Sequence, residues 1–197
     1  MSKYNNIRIS TDSIEDGLFA IYIDNIGVKH SEIKKCVDII RKFTKGDTLF
    51  FGFYRLDGMR LTSKQWEKLE KEIPEFFRNY GRYELVTETV EHMGKIKIYP
   101  DFLTIGSLPA NNSTYAMIPW AFEYYLESTI FCPNIKWEKF IHLYSNYMKY
   151  QTREYILNGY ADFLFTYADS GDFTIYFNSN LYDRNEVYED VLKILNV

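Results

Sequence analysis

Residues 162–177 read DFLFTYADSGDFTIYF, two apolar, aromatic-rich runs (162–168 and 172–177) joined by Asp169, Ser170 and Gly171. Side chains alternate across a strand, and Asp-Ser-Gly is the chemistry of a tight turn: Gly takes a positive φ without steric cost, while Asp and Ser hydrogen-bond nearby backbone. The stretch therefore predicts a β-hairpin and with it an antiparallel sheet. What lies to either side predicts its cover. Downstream, Asp183 with Glu186 three residues later makes a capping-box-like start to a final helix, with Val187, Tyr188, Val191, Leu192 and Leu195 facing inward. Upstream, a helical piece from Thr152 ends at Gly159, and before it Asn134 caps a helix whose stripe is Trp137, Phe140, Ile141, Tyr144, Tyr147 and Met148.

Farther out the same two periods recur. The even positions Ile118, Trp120, Phe122, Tyr124, Leu126 and Ile130 are apolar, with Glu123, Glu127 and Thr129 at odd ones, a pattern that predicts one long strand. Tyr83–Val90 and Lys95–Tyr99, parted by Met93 and Gly94, read as a second hairpin, and Phe102–Ile105 as a short further strand. Leu18–Ile23 and Thr48–Tyr54 are strand-like. Between them a helix capped by Ser31 carries Ile33, Cys36, Val37, Ile40 and Phe43 on one face. A helical pattern from Thr62 or Ser63 to Tyr80 is interrupted by Pro74, which kinks it or opens a second helix. With no repeat or linker, residues 1–197 read as a single compact α+β domain: an antiparallel sheet of hairpins and meanders flanked by amphipathic helices.

Composition bounds the function. Eighteen tyrosines, fifteen phenylalanines and three tryptophans accompany a net charge of −4. By size scaling a 23.5 kDa chain buries about 70% of its unfolded surface, so a core forms without disulfide or metal. The two cysteines, Cys36 and Cys132, lack zinc or redox spacing and suit buried thiols in a reducing compartment. Residues Met1–Ser13 are polar, unlike a signal peptide, and no apolar run reaches the roughly 20 residues of a membrane span. A cytoplasmic location and no membrane partner are expected. The charge is uneven: residues 1–100 carry 17 basic and 15 acidic side chains, residues 101–197 only 6 basic and 12 acidic. Between Glu154 and Asp190, eight carboxylates face Arg184 alone, which argues against nucleic acid as a partner.

Chemistry-bearing motifs are sparse. No GxxxxGK[ST] or GxGxxG loop is present, and no cofactor is expected. Asp169 and Asp172 have the spacing of a turn, without the further oxygen ligands and closing Glu of a calcium loop. Glu88, Glu91, His92 and Asp101 gather around the second hairpin, but Glu88 and Glu91 fall on opposite faces of a regular strand. His30, His92 and His142 are far apart, and Cys36 sits on an apolar stripe where a thiol is inert. The phenols Tyr124, Tyr125, Tyr144, Tyr147, Tyr150, Tyr155 and Tyr160 are too dense for every hydroxyl to be paired inside, so some are expected at the surface.

Exposed tyrosine beside carboxylate is a composition that protein interfaces favour. The expected function is a non-enzymatic protein-binding module that holds a basic protein, a toxin for instance, through Tyr160, Asp162, Asp169, Asp172, Tyr182 and Asp183. As a class, small acidic aromatic chains without motifs are similar to the immunity proteins that neutralise bacterial toxins. That likeness is one of style and rests on no motif. Two alternatives stand beside it: a metal-dependent hydrolase drawing ligands from Glu88, Glu91, His92, Asp101, Asp169 and Asp172, and an aromatic-lined small-ligand pocket or structural subunit.

Overall fold

The computed structural model describes residues 7–54, 75–92, 95–124, 127–144, 153–168 and 170–197, with 54, 85–92, 95–104 and 123–124 described as backbone alone. Eight strands, β1 (Arg8–Glu15), β2 (Leu18–Asp24), β3 (Thr48–Tyr54), β4 (Arg82–His92), β5 (Lys95–Pro109), β6 (Glu127–Pro133), β7 (Ala161–Ala168) and β8 (Phe173–Asn178), form one sheet. Its order is β1-β2-β8-β7-β6-β3-β5-β4, and every neighbouring pair is antiparallel. The helices are α1 (His30–Phe43), α2 (75–80), α3 (Asn112–Tyr124), α4 (Trp137–Leu143), α5 (Glu154–Leu157) and α6 (Arg184–Leu195). The fold is α+β, as the hairpin at 162–177 predicts. That hairpin pairs Phe163 with Phe177, Phe165 with Ile175 and Tyr167 with Phe173, and Gly171 turns it at φ 87°.

Alternation sends successive residues of each central strand to opposite faces, odd positions of β2, β3, β7 and β8 sharing a face with even positions of β6. Ile21, Phe51, Ile130, Phe163, Phe165 and Ile175 pack under α1, α3 and α6. Leu18, Phe50, Phe131 and Leu164 pack under α4 and α5. The second core is aromatic: the Phe131 ring lies 4.9 Å from Tyr155, 5.1 Å from Phe140 and 5.7 Å from Tyr144, edge-on to the last two. Such contacts add to simple area burial. Two glycines make room for rings on opposite faces. A Cβ at Gly52 would overlap the Tyr144 hydroxyl, and one at Gly106 would overlap the Phe77 ring.

Several expectations are corrected. Residues 118–130 are not one strand: α3 runs to Tyr124 and β6 starts at Glu127. The buried positions Thr114, Tyr115, Ile118, Ala121 and Phe122 follow helical spacing, and Trp120, expected inside, is 44% exposed. Phe102–Ile105 is the middle of β5 rather than a separate strand. Lys29, not Ser31, caps α1, and the Glu32 carboxylate accepts from its backbone N–H at 3.0 Å. Lys136, not Asn134, precedes α4. β1 was not expected at all, because an edge strand with mostly exposed side chains has no apolar alternation. Of the helical pattern at 62–80, only 75–80 falls within the described residues. No helix among the described residues is long and apolar enough to cross a membrane.

Candidate functional site

Strands β3, β4 and β7 begin, and β5, β6 and β8 end, at the same end of the sheet, here called the upper end. Gly159, in the left-handed region at φ 66°, stops α5 and turns the chain into β7. The turn is fixed from both sides: Tyr160 donates its N–H to Tyr155 O at 2.7 Å, and Asn134 donates its N–H to Tyr160 O at 2.8 Å. Asn134 also donates from Nδ2 to Asp162 Oδ1 at 2.6 Å. Tyr182 leads into α6, packs its ring 4.7 Å from that of Phe163, and donates its hydroxyl to Asp162. Burial first, then that hydrogen bond and the Asp162 charge, push the Tyr182 phenol up to about 12. Lys45 sits over the outer face of the same ring at 4.4 Å, and Lys139 over Tyr160 at 4.3 Å.

Beneath this cluster Cys132 Sγ lies 3.6 Å from Thr44 Oγ1, which also donates to Ile40 O. Burial pushes the Cys132 thiol up to about 12 against the lowering influence of Thr44. Cys36 is wholly buried and pushed up as well, chiefly by desolvation. Both are neutral thiols at physiological pH, the state in which cysteine is a poor nucleophile.

Contiguous with the cluster, through the neighbouring residues Lys45–Gly46 and Pro133–Asn134, is a groove of about 620 Å³. Its floor is the start of β3, Thr48 and Phe50, and the end of β5, Ser107–Pro109. One wall is 80–82, entering β4; the other is 135–138, entering α4. Tyr80 (55% exposed) and the half-buried Trp137 supply aromatic surface, and the Trp137 ring packs 5.4 Å from the buried Phe50 and edge-on to it. Asp47, Glu138, Arg82 and Lys136 supply two charges of each sign. Arg82 Nη1 meets Glu138 Oε1 at 2.9 Å. The Glu138 carboxyl titrates below its usual range, through a backbone hydrogen bond first and the Arg82 guanidinium second.

Four of the six expected partner-binding residues, Tyr160, Asp162, Tyr182 and Asp183, therefore lie at the upper end. Asp172 does not. Six steps along β7 from Asp162 to Ala168 cover about 20 Å at roughly 3.3 Å each, and Asp172 is beyond them at the lower end. There its carboxylate accepts from Asn25 N at 3.2 Å and from Ser170 Oγ at 2.7 Å, which makes it a turn residue. Asp169 lies outside the described residues. Asp183 caps α6, accepting from Asn185 N at 2.9 Å and Glu186 N at 3.0 Å. Elsewhere in the acidic segment, Asp190 is paired with Lys42 at 2.9 Å and Lys193 at 3.5 Å, and those hydrogen bonds and charges lower its pKa. Among the expected surface phenols, Tyr144 and Tyr155 are fully buried, whereas Tyr160 is half-buried.

Of the alternative metal set, Glu88, Glu91 and His92 pair with Tyr99, Ile96 and Lys95 in the second hairpin, and Asp101 follows in β5. The register from Glu88 to His92 is free of bulges, so Glu88 and Glu91 occupy positions of opposite parity. Among the described residues no group of three or more His, Cys, Asp and Glu side chains is placed to hold a metal ion. The groove residues Asp47, Tyr80, Arg82, Lys136 and Glu138 were not anticipated, and Trp137 was expected only as helix core. No local signal marks them, because only the strand order brings 46–50, 80–82, 107–109 and 133–138 together. No protein-family model, curated protein or solved structure matches the chain.

Proposed function

We propose that this chain is a non-enzymatic protein-binding module, an inhibitor in the style of an immunity protein, which holds a basic protein partner at the upper end of its sheet. One observation carries the reading: the groove walled by Tyr80 and Trp137 is continuous with the Tyr160–Asp162–Tyr182 cluster. Rigid aromatic side chains beside fixed charges are what the energetic centres of interfaces are made of. The carboxylates of Asp162 and Asp183 accept hydrogen bonds from neutral donors, which leaves their negative charge in place. Asp190 differs, because Lys42 and Lys193 offset it. Glu138 is likewise offset by Arg82, so the acidic field that attracts a basic partner comes from Asp47, Asp162, Asp183 and Glu186, around an aromatic centre that supplies contact area.

The test is capture of a partner from lysate of the native host, washed at low and high salt, followed by affinity measurement on variants. Trp137→Ala and Tyr80→Ala should each weaken binding about tenfold or more, while Asp172→Asn at the lower end leaves it within about twofold. A lower-end substitution as damaging as Trp137→Ala sinks the assignment of the site, and absence of any stoichiometric partner sinks the reading itself.

A second reading is favoured by the size of the groove. Its volume of about 620 Å³ lies within the roughly 300–1,000 Å³ typical of small-molecule sites. A ligand held there raises the unfolding temperature in a metabolite screen, and Trp137→Ala abolishes that rise.

A further inference from the structure

The sheet order gives the Arg82–Glu138 contact a meaning that its surface position hides. Arg82 is the first residue of β4, and Glu138 lies in the first turn of α4, which follows β6. Between β4 and β6 in the sheet stand β5 and β3, whose ends form the groove floor. The two walls stand on either side of that floor, Arg82 at the start of β4 and Glu138 on α4, whose Trp137 packs 5.4 Å from Phe50 of β3. The two side chains meet at 2.9 Å, with Arg82 64% and Glu138 71% exposed. They do not rest on a wall; they reach toward each other over the floor.

We propose that the Arg82–Glu138 ion pair is a strap across the groove, which parts to admit a basic segment of the protein partner. This rests on the groove being the binding site. The strap is built to open: exposed pairs are held weakly, are screened by salt, and here compete with Lys136 and Asp47 on the same lining. Opening leaves Glu138 free to accept a cation from the entering partner, in place of the chain's own Arg82. Trp137 lines the same groove beside Glu138, so on this proposal the closed strap shelters the indole and its accessibility reports on the strap's state.

The experiment needs no partner. The full chain is labelled with 5-fluorotryptophan, the Trp137 resonance is assigned by its loss in Trp137→Phe, and its relaxation enhancement by a neutral soluble gadolinium complex is measured. Trp120, exposed on α3, serves as the reference. Because an exposed pair is closed only part of the time, Arg82→Gln and Glu138→Gln should each raise the enhancement at Trp137 about twofold. Raising salt from 20 mM to 1 M, where the Debye length falls to about 3 Å, should do the same in the parent and nothing further in the variants. The charge swap Arg82→Glu with Glu138→Arg should restore the protected, salt-sensitive state. An unchanged Trp137 enhancement in both single variants, or a swap that fails to restore protection, overturns the strap. Neither result depends on a partner being found, so it stands apart from success or failure of the binding test.

Discussion

Replacing Tyr182 by Phe removes one oxygen atom and isolates the link between the α6 entrance and β7. Burial first, and then the hydrogen bond that the hydroxyl donates to Asp162, raise the phenol from 10.0 to about 12. A shift of two units corresponds to about 2.7 kcal/mol at roughly 1.36 kcal/mol per unit. Most of that comes from burial, which penalises only the ionised phenol, and the ring is half-buried and screened, so the loss at pH 8 is that of the hydrogen bond alone, about 1 kcal/mol. That is a fall in Tm of about 2–4 °C for a chain of this size. The sign follows from which protonation state folding prefers. Folding favours the neutral phenol, so the stabilisation is complete below the unfolded value near 10 and disappears as pH rises through the folded value near 12. Urea unfolding of parent and Tyr182→Phe, followed by far-UV circular dichroism from pH 8 to pH 12, should show a constant gap to about pH 10 that closes by about pH 12. The other tyrosines and lysines titrate in both proteins and cancel in the difference. A variant as stable as the parent at pH 8 would refute the hydrogen bond, and a gap indifferent to pH above 10 would refute the raised phenol.

Two further substitutions test the interior. Gly106→Ala places a methyl group in the Phe77 ring on the face under α2 and should cost about 1–3 kcal/mol by overpacking, read as a lower urea midpoint with an unchanged slope. Thr129 is fully buried in β6, and its Oγ1 has no hydrogen-bond partner. Thr129→Val keeps the shape, removes the unsatisfied hydroxyl, and should stabilise by about 1 kcal/mol or more; a loss of stability would mean that the hydroxyl is satisfied in solution.

The parts of the fold that were legible in the sequence are those where a single periodicity operates. The 162–177 hairpin, β2 and α6 each carry an apolar run or stripe bounded by a marked turn or cap, and each is found where the residues predict it. α3 was misread because it is apolar around most of its circumference. Met117, Ile118, Ala121 and Phe122 are all buried, and a helix buried on several sides imitates alternation when only its even positions are counted. β1 failed in the opposite way: with nearly all of its side chains exposed, it offers neither period. The site was less legible than the fold for a reason that better pattern reading does not remove. A strand is a local object, whereas the groove is a property of the order β6-β3-β5-β4, and no residue within it signals its neighbours in sequence.

The acidic segment was the feature most visible in the sequence, and the structure separates two things that composition merges: the charge of a carboxylate and the availability of its oxygens. Asp162 keeps its charge, but its oxygens already receive Asn134 and Tyr182. Such a group attracts a basic partner over a Debye length without being a principal contact once the partner has docked. Trp137 is the converse, an uncharged surface that acts only on contact. If the upper end binds as proposed, Asp162→Asn should slow association about two- to fivefold at low salt, with dissociation almost unchanged. Trp137→Ala should leave association nearly intact and speed dissociation by about tenfold or more. Stopped-flow or surface-based kinetics at two salt concentrations distinguishes them. An Asp162→Asn variant whose defect lies mainly in the off-rate and persists at high salt would mean that its carboxylate gives up Asn134 or Tyr182 and contacts the partner directly.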